Sequence, residues 1–328
     1  MKNFWMNLEK PFFVLAPMED VTDFVFREIV SKYLPKPSAL FTEFTNVEAL
    51  NSKGFDKTIQ RFKFSKIQKP IVAQIWGIKP ENYYKASKLI ESLGFNGVDI
   101  NMGCPDRKVM KIGACSALIE NKNLAKEIIA ATKEGVKNIP VSVKTRIGTK
   151  EIVTQDWISF LLEQKISTLT VHGRLAKDLS KFPANWSEIK KAVGIRDKIS
   201  PNTIIIGNGD VSSYNDGLQK ARDYKVDGLM IGRGIFSNPW AFEKDKKNHS
   251  IKERVELAIK HVNLFKKIYG ESKSDILKKF LKMYIKDFPD ASELRNLLMG
   301  GKTTHQMIEV LKNFKMKEDQ EASLSQLV

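Results

Sequence analysis

Eight short runs of continuous apolar and β-branched residues, each followed by a helix-like stretch, constrain the fold of this chain most strongly. The runs span residues 13–16, 39–44, 70–76, 97–102, 141–145, 167–172, 203–207 and 228–232. Continuous rather than alternating apolar residues are typical of parallel strands that are buried on both faces. Eight such strand–helix units predict an α/β fold of the (β/α)8 TIM-barrel class.

The competing α/β architecture is a doubly wound parallel sheet. Such sheets carry a G-x-G-x-x-G turn after the first strand, whereas the glycine-rich turns of this chain occur late, at 207–210 and 232–234. Beyond residue 240 no strand-like run occurs, and charged residues alternate with Leu, Ile, Phe and Met at helical spacing. We therefore predict a barrel domain over residues 1–240 and a small all-helical domain over residues 241–328.

Composition narrows the class of protein. The 328 residues are 42% hydrophobic and 28% charged, as is usual for a globular chain, and the two cysteines are too few for a disulfide scaffold. No apolar run approaches the roughly 18 residues of a membrane span, and the first residues lack the pattern of a secretory signal. We therefore predict a cytoplasmic protein without a membrane partner.

The net charge is the first indication of a binding partner. Fifty-four Lys and Arg residues against 38 Asp and Glu residues give +16 at pH 7. Such an excess favours a polyanionic partner, of which nucleic acid is the usual one. A lysine-rich composition that places cations on every solvated face explains the same charge equally well, so charge alone leaves both interpretations open.

Polar residues follow almost every predicted strand. The residues at or near these strand ends include Glu19, Glu43, Gln74, Asn101, Lys144, His172, Asn208 and Arg233. The carboxyl ends of the strands of a (β/α)8 barrel meet at one face, where the active sites of barrel enzymes lie. The pattern therefore predicts a functional site at that face.

The turns after the seventh and eighth strands are typical of a phosphate-binding cradle. Backbone N–H groups of glycines approach an anion closely, and a neighbouring arginine adds positive charge. The residues concerned are Gly207, Gly209, Gly232, Arg233 and Gly234. The phosphate would belong to a cofactor tail or to a phosphorylated metabolite, and tight strand-to-helix turns are the alternative explanation for the glycines.

Gln74 and Lys144 lie within β-rich runs and are predicted to point into the mouth of the barrel. A buried cation needs an anionic partner, and a reduced flavin ring provides one, with an imide edge that Gln74 can contact. A Schiff-base lysine and a structural ion pair between Lys144 and Glu43 are the alternatives. The residues alone do not separate these three roles.

The two cysteines have different surroundings. Cys104 lies in a turn between Gly103 and Pro105, whereas Cys115 lies in an apolar segment and is predicted to be a small buried residue. A thiol with the ordinary pKa of about 8.5 is mostly protonated near pH 7, so Cys104 can act as a general acid. The rival role is a nucleophile paired with His172. No C-x-x-C or H-E-x-x-H motif occurs, so we predict no metal site.

Eight motifs together resemble the tRNA-dihydrouridine synthases, a family of flavin enzymes that reduce uridine in tRNA. They are APMEDVTDFVFR (16–27), VAQIWG (72–77), DINMGCP (99–105), VKTRIG (143–148), VHGR (171–174), GNGD (207–210), IGRG (231–234) and, in the helical region, MYIKDFPDASELR (283–295). DINMGCP followed by K-x-R-x-G is the most specific pattern, whereas the glycine motifs alone are common. The resemblance extends over almost the whole chain, from residue 12 to residue 300.

The resemblance implies an FMN cofactor, NADPH as the transient electron donor and tRNA as the partner. It implies that Cys104 donates a proton and that Asn101 and Arg146 contact the uracil. It also implies that Gln74 and Lys144 hold the flavin ring. The other residues implied to contact FMN are Pro17, Met18, Glu19, His172, Asn208, Gly209, Asp210, Gly232 and Arg233.

The implied reaction agrees with these residues. Hydride from reduced FMN at C6 of uracil leaves negative charge at C5 and O4, and a proton from Cys104 to C5 then completes 5,6-dihydrouridine. Two alternatives stay open, namely an FMN barrel that acts on a free metabolite and a non-catalytic RNA-binding protein that retains the barrel. We expect a monomer.

Two positions depart from the pattern of the family. Residues 175–178, which follow VHGR, replace a segment that begins with Thr in many relatives, and this places the substrate contacts of the loop in doubt. Cys115 occupies a position where relatives often have glycine. We predict that the Cys115 side chain only fills space.

Overall fold

The structure is a computed structural model that describes residues 3–245, 247–271 and 274–325. Residues 246, 272, 273 and 326–328 of the predicted helical domain lie outside the described ranges. Within these described ranges, nine parallel strands form one sheet. They are β1 Phe12–Leu15, β2 Leu40–Phe41, β3 Thr45–Asn46, β4 Ile71–Trp76, β5 Gly97–Met102, β6 Val141–Arg146, β7 Thr168–His172, β8 Ile204–Asn208 and β9 Gly228–Ile231.

The sheet closes on itself as a barrel. Its strand order is β1-β9-β8-β7-β6-β5-β4-β2, with β3 paired to β4. The two ends of this order meet where Val14 of β1 bridges Ala39, and where the Leu15 N–H donates to the Ala39 carbonyl at 3.2 Å. The predicted (β/α)8 barrel is therefore confirmed.

The second strand of the barrel differs from its prediction. A single strand was expected over residues 39–44, but the structure divides this run into β2 and β3. The Gln74 N–H donates to the Thr42 side-chain oxygen at 3.1 Å instead of to a backbone carbonyl. The regular ladder is thereby interrupted between the two short strands, and Glu43 lies in the interruption.

Helices surround the barrel and continue beyond it. The α-helices are α1 Phe24–Tyr33, α2 Val47–Leu50, α3 Phe55–Thr58, α4 Pro80–Ser92, α5 Arg107–Lys111, α6 Lys122–Gly135, α7 Thr154–Glu163, α8 Trp186–Ile199, α9 Tyr214–Tyr224, α10 Gly234–Ser237, α11 Ile251–Tyr269, α12 Ser274–Tyr284, α13 Ala291–Gly300 and α14 Thr304–Ser325. Asp23 begins α1 by accepting a hydrogen bond from the Phe26 N–H at 2.7 Å, which satisfies an otherwise unpaired donor. Within the described ranges, none of the helices combines the length and the apolar character needed to span a bilayer.

The last four helices form the predicted C-terminal helical region and pack against the barrel. Phe26 of α1 stacks on Phe280 of α12 with ring centroids 5.1 Å apart, and Phe280 also contacts His261 of α11. These side chains are fully buried. The helical region and the barrel therefore share an apolar contact beside the first strand-to-helix unit, while the domain boundary at residue 240 stays a prediction.

Apolar side chains fill the amino end of the barrel interior. Trp5 lies in a 3-10 helix before β1, is fully buried, and contacts the rings of Phe12 and Phe41. Ile204 and Ile206 of β8 complete this cluster. Because the amino end is packed, space for a ligand is left at the carboxyl end, where the predicted site residues lie.

Candidate functional site

A cavity of about 710 Å³ opens at the carboxyl end of the barrel. All fourteen residues that the sequence predicted for the site line this one cavity. They are Pro17, Met18, Glu19, Gln74, Asn101, Cys104, Lys144, Arg146, His172, Asn208, Gly209, Asp210, Gly232 and Arg233. The structure thus brings the predicted set together, and the role of each member stays a prediction.

Strand register arranges the polar side chains inside the barrel in rows. Gln74 of β4 is aligned with Asp99 of β5, and Asp99 is aligned with Ser142 of β6. Two residues further along, Asn101 is aligned with Lys144. Side chains two positions apart on a strand point to the same face, so the two rows lie one above the other inside the barrel.

Asp99 is a buried acid that the sequence analysis missed. Its side chain is fully buried, and burial raises its pKa to about 6 against the opposing effect of hydrogen bonds from Gln74 and Ser142. The available signal was its position two residues before Asn101 in the DINMGCP motif, which places both side chains on one face of β5. Asp99 is also the acid whose charge acts on Lys144.

Lys144 is partly exposed, and it lines the cavity. Removal of water in the mouth of the barrel, and then the charge of Arg146, lower the pKa of Lys144 to about 8. The proposed ion pair with Glu43 is wrong, because Glu43 accepts the Asp20 N–H at 2.9 Å and lies 3.8 Å from Arg61. Among the described residues Lys144 makes no ion pair, so its charge is available to a ligand in the cavity.

Cys104 sits on a turn that two side chains hold. The Asn101 side-chain oxygen accepts the N–H groups of Gly103 and Cys104, both at 3.0 Å. Arg146 is buried and donates from Nε to the Gly103 carbonyl at 2.8 Å. Its Nη1 donates to the carbonyls of Leu175 and Leu179 at 3.0 and 3.1 Å, so the same guanidinium joins the Cys104 turn to the loop after β7.

The Cys104 thiol is more acidic than the sequence analysis expected. The thiol of Cys115 lowers the pKa of Cys104 to about 7, against the raising effect of burial. This value lies below the ordinary thiol pKa of about 8.5, so Cys104 begins to ionise at a lower pH than expected, and its role as an acid stays a prediction. Cys115 is fully buried, as predicted, and has φ of +54°.

His172 is held as a neutral imidazole. Its Nε2 lies 3.1 Å from Nη1 of Arg174, and because a guanidinium only donates, Nε2 must accept. Burial and the charges of surrounding cations, Lys144 first among them, keep its pKa well below the ordinary value. Nδ1 then carries the proton, and no basic nitrogen is free to activate Cys104. The engagement of Nε2 by Arg174 argues against the Cys104–His172 nucleophile pair.

Arg174 is the second residue that the sequence analysis missed, although VHGR contains it. It is buried, lines the cavity, and its Nη2 donates to both carboxylate oxygens of Asp210. Its Nε donates to the Phe182 carbonyl at 2.5 Å. Asp210 also accepts the Ala184 N–H at 2.8 Å. Arg174 and Asp210 together tie the loop after β7 to the turn after β8.

The predicted phosphate cradle lies at the ends of β8 and β9. Gly209 has φ of +120°, and a Cβ there would approach the Cβ of Ala184 to 2.6 Å, so only glycine fits. Asn208 donates to the Met230 carbonyl at 2.9 Å and joins the two strands. The Arg233 side chain makes a 3.8 Å ion pair with Asp210 but is 64% exposed, so its guanidinium can still contact an anion.

The first strand-to-helix loop carries an acidic cluster. The carboxylates of Glu19, Asp20 and Glu43 lie within 4.8 Å of one another. Arg61 donates to both oxygens of Glu19, at 2.8 and 2.6 Å. Burial raises the pKa of Glu43 to about 7. Because Arg61 holds it, the Glu19 side chain is already paired within the protein. Pro17 and Met18 line the cavity beside it.

This architecture defines a (β/α)8-barrel protein of the class that carries its site at the carboxyl ends of the strands. The family model described as dihydrouridine synthase (Dus) matches residues 14–321. The chain belongs to the dihydrouridine synthase family. The resemblance that the sequence motifs indicated is thus confirmed.

Similar proteins agree with this assignment. The "Probable tRNA-dihydrouridine synthase" of Staphylococcus aureus (strain MRSA252) is 43% identical over 327 residues, covering 98% of this chain and 99% of that protein. The "Probable tRNA-dihydrouridine synthase 2" of Bacillus subtilis (strain 168) is 44% identical over 320 residues, covering 96% and 98%. A solved complex of 2-naphthoyl-CoA reductase has a TM-score of 0.51 at 9% identity, covering 70% of this chain and 48% of that one. This last likeness concerns the fold alone.

Proposed function

We propose that this protein reduces the C5=C6 bond of a uridine in tRNA to 5,6-dihydrouridine, with FMN as cofactor and NADPH as electron donor. One observation carries the proposal. In a chain of the dihydrouridine synthase family, a single cavity joins a thiol on a supported turn, an unpaired lysine and a glycine-rich anion cradle. The barrel provides the cofactor site, and residues 241–328 are proposed as the helical tRNA-binding domain.

The cavity suits a flavin mononucleotide. A volume of about 710 Å³ lies within the range of roughly 300–1,000 Å³ that is usual for small-molecule sites. Lys144 offers an unpaired cation to the carbonyl edge of the ring, and Arg233 offers a largely exposed guanidinium to the phosphate. When bound and reduced, the flavin supplies the hydride that C6 of uracil accepts.

Cys104 is proposed as the acid that protonates C5 of uracil. The protonated thiol is the competent form, and Asn101 and Arg146 hold the backbone of the turn that carries it. A fixed acid beside the reacting carbon lowers the entropic cost of proton transfer. Asn101 and Arg146 are proposed to contact the uracil as well, each with a remaining N–H group.

The substrate is proposed to be a nucleotide turned out of folded RNA. A uracil inside a base stack cannot enter a cavity at the end of a barrel, and removing it costs roughly a few kcal/mol. The net charge of +16 offsets this cost through contacts with phosphates. A free pyrimidine would gain nothing from these contacts, which favours tRNA over a free metabolite as the substrate.

The proposal is tested with purified protein, FMN, NADPH and tRNA transcribed without modifications. We expect a yellow protein and a mass gain of two hydrogens in one uridine-containing fragment after digestion. Reactions without NADPH, and reactions on uridine monophosphate, serve as controls and should show no comparable gain. A colourless protein that does not take up FMN, or reduction of the free nucleotide as fast as of tRNA, would contradict the proposal.

A further inference from the structure

A chain of hydrogen bonds begins at Asp99, inside the barrel. The Ser142 hydroxyl donates to one carboxylate oxygen of Asp99 at 2.5 Å, and Nε2 of Gln74 donates to the other at 2.7 Å. Because an ionised carboxylate only accepts, Gln74 must turn its amide nitrogen toward Asp99. Its amide oxygen then faces the opposite way, toward Asn101.

This chain of hydrogen bonds ends at the turn that carries Cys104. Nδ2 of Asn101 donates to Oε1 of Gln74 at 3.1 Å. Oδ1 of Asn101 consequently accepts the backbone N–H groups of Gly103 and Cys104 at 3.0 Å. Neither end of the chain can be reversed, because one end is a carboxylate and the other is a pair of backbone donors. Asp99 therefore fixes the direction of the Gln74 amide, the two backbone donors fix that of Asn101, and the two directions agree.

We propose that Asp99 is a positioning residue that acts through Gln74 and Asn101 to hold the Cys104 turn and to leave Asn101 with only an N–H donor for the substrate. Both lone pairs of the Asn101 amide oxygen are already used by the turn. Its remaining N–H group, in a residue that lines the cavity, matches a carbonyl oxygen of a pyrimidine and does not match a ring N–H. The substrate part of this inference rests on the proposed function, whereas the structural part does not.

Substitutions that reverse the direction of these hydrogen bonds test whether Asp99 helps to hold the Cys104 turn. In Asn101→Asp, a carboxylate oxygen faces Oε1 of Gln74, and Asp99 prevents Gln74 from turning. In the double variant Asp99→Asn/Asn101→Asp, the new amide at position 99 can donate to Gln74. Gln74 can then turn and donate to the carboxylate at position 101. The two hydrogen bonds that link positions 99, 74 and 101 are restored in the opposite direction, the backbone of the turn still donates to position 101, and one negative charge is retained.

The readouts are the thermal midpoint and the rate of Cys104 alkylation by iodoacetamide, followed by peptide mass. Neither readout needs RNA, and Cys115 is fully buried and so serves as the slow internal reference. We expect Asn101→Asp to lower the midpoint and to change the alkylation rate at least fivefold. We expect the double variant to recover both values to within twofold of the wild-type rate. A double variant no better than Asn101→Asp overturns the role of Asp99.

Two further variants and one activity measurement complete the test. Asp99→Asn alone can keep its oxygen toward Gln74 and its amide toward Ser142, and Ser142→Ala removes no link between Asp99 and Cys104. Both should alkylate within twofold of wild type, and a loss like that of Asn101→Asp in either overturns the direction of the chain. The double variant should stay at least tenfold slower in uridine reduction, because position 101 has lost its donor. If the double variant recovers the wild-type rate of uridine reduction as well as the wild-type alkylation rate, Asn101 does not act as a donor to the substrate. That result would leave the proposed function intact.

Discussion

Arg146 donates a hydrogen bond of 2.8 Å from Nε to the carbonyl oxygen of Gly103, so a buried guanidinium on β6 supports the turn that presents Cys104. The same side chain reaches the Leu175 and Leu179 carbonyls. One residue therefore couples the proposed proton donor to the loop after β7.

Arg146→Lys should separate this geometric role from charge alone. Lysine keeps the positive charge but cannot reach three carbonyls in the planar arrangement of a guanidinium. Lost charge-assisted hydrogen bonds in a buried site should lower the free energy of unfolding by about 2–3 kcal/mol, measured by urea unfolding. We expect at least a tenfold lower kcat for uridine reduction. Wild-type stability and kcat in the lysine variant would show that the bridging geometry is unimportant.

Cys104→Ala should slow uridine reduction by about 10²–10⁴-fold, the range typical for loss of a general acid. Flavin retention should not change, because Lys144, Arg233 and the glycine turns are untouched. Single-turnover reduction of tRNA and the visible absorbance of the protein measure the two properties separately. Unchanged turnover in this variant would remove the acid role of Cys104.

The pH dependence of kcat/KM should descend through about pH 7. The acid form of Cys104 is required, and its pKa in the free protein is about 7, so the competent fraction declines as pH rises above that value. The decline should approach about tenfold per pH unit on the alkaline side. A profile that stays flat to pH 9 would be inconsistent with Cys104 as the acid.

Cys115→Ala should move that alkaline limb upward. The Cys115 thiol is the largest cause of the lowered pKa of Cys104, so its removal returns the Cys104 pKa toward the ordinary value of about 8.5. Alkylation of Cys104 measured against pH reports the shift directly. If the midpoint of the alkylation profile stays near 7 in Cys115→Ala, another group sets the acidity of Cys104.

Arg233→Ala should weaken the retention of FMN. A phosphate contact from an exposed guanidinium contributes about 1 kcal/mol, which corresponds to roughly a fivefold higher Kd for FMN. The matched control is Arg222→Ala, which removes an exposed arginine from α9 outside the cavity. Fluorescence titration of the apoprotein with FMN measures both variants. Equal Kd values in the two variants would argue against the phosphate assignment.

Part of the site could be predicted because a barrel collects its strand ends. Residues as distant along the chain as Pro17, Cys104 and Arg233 line one cavity for this reason alone. The contacts between individual side chains of the site could not be predicted from the sequence. Arg174 and Asp210 are 36 residues apart, and their ion pair depends on how the loops after β7 and β8 meet. The effect of Cys115 on Cys104 likewise depends on the path of the intervening segment, which contains α5.

The sequence by itself determined the strand–helix repeat, the face on which polar residues gather, and the family, because periodicity and motifs are local properties of a chain. Only the tertiary structure decided the partners of Asp99, since strand register places Gln74 on one side and Ser142 on the other. Pairing across strands is a through-space property that no spacing along the chain encodes. The acidity of Cys104, the neutral state of His172 and the unpaired charge of Lys144 all depend on such pairings.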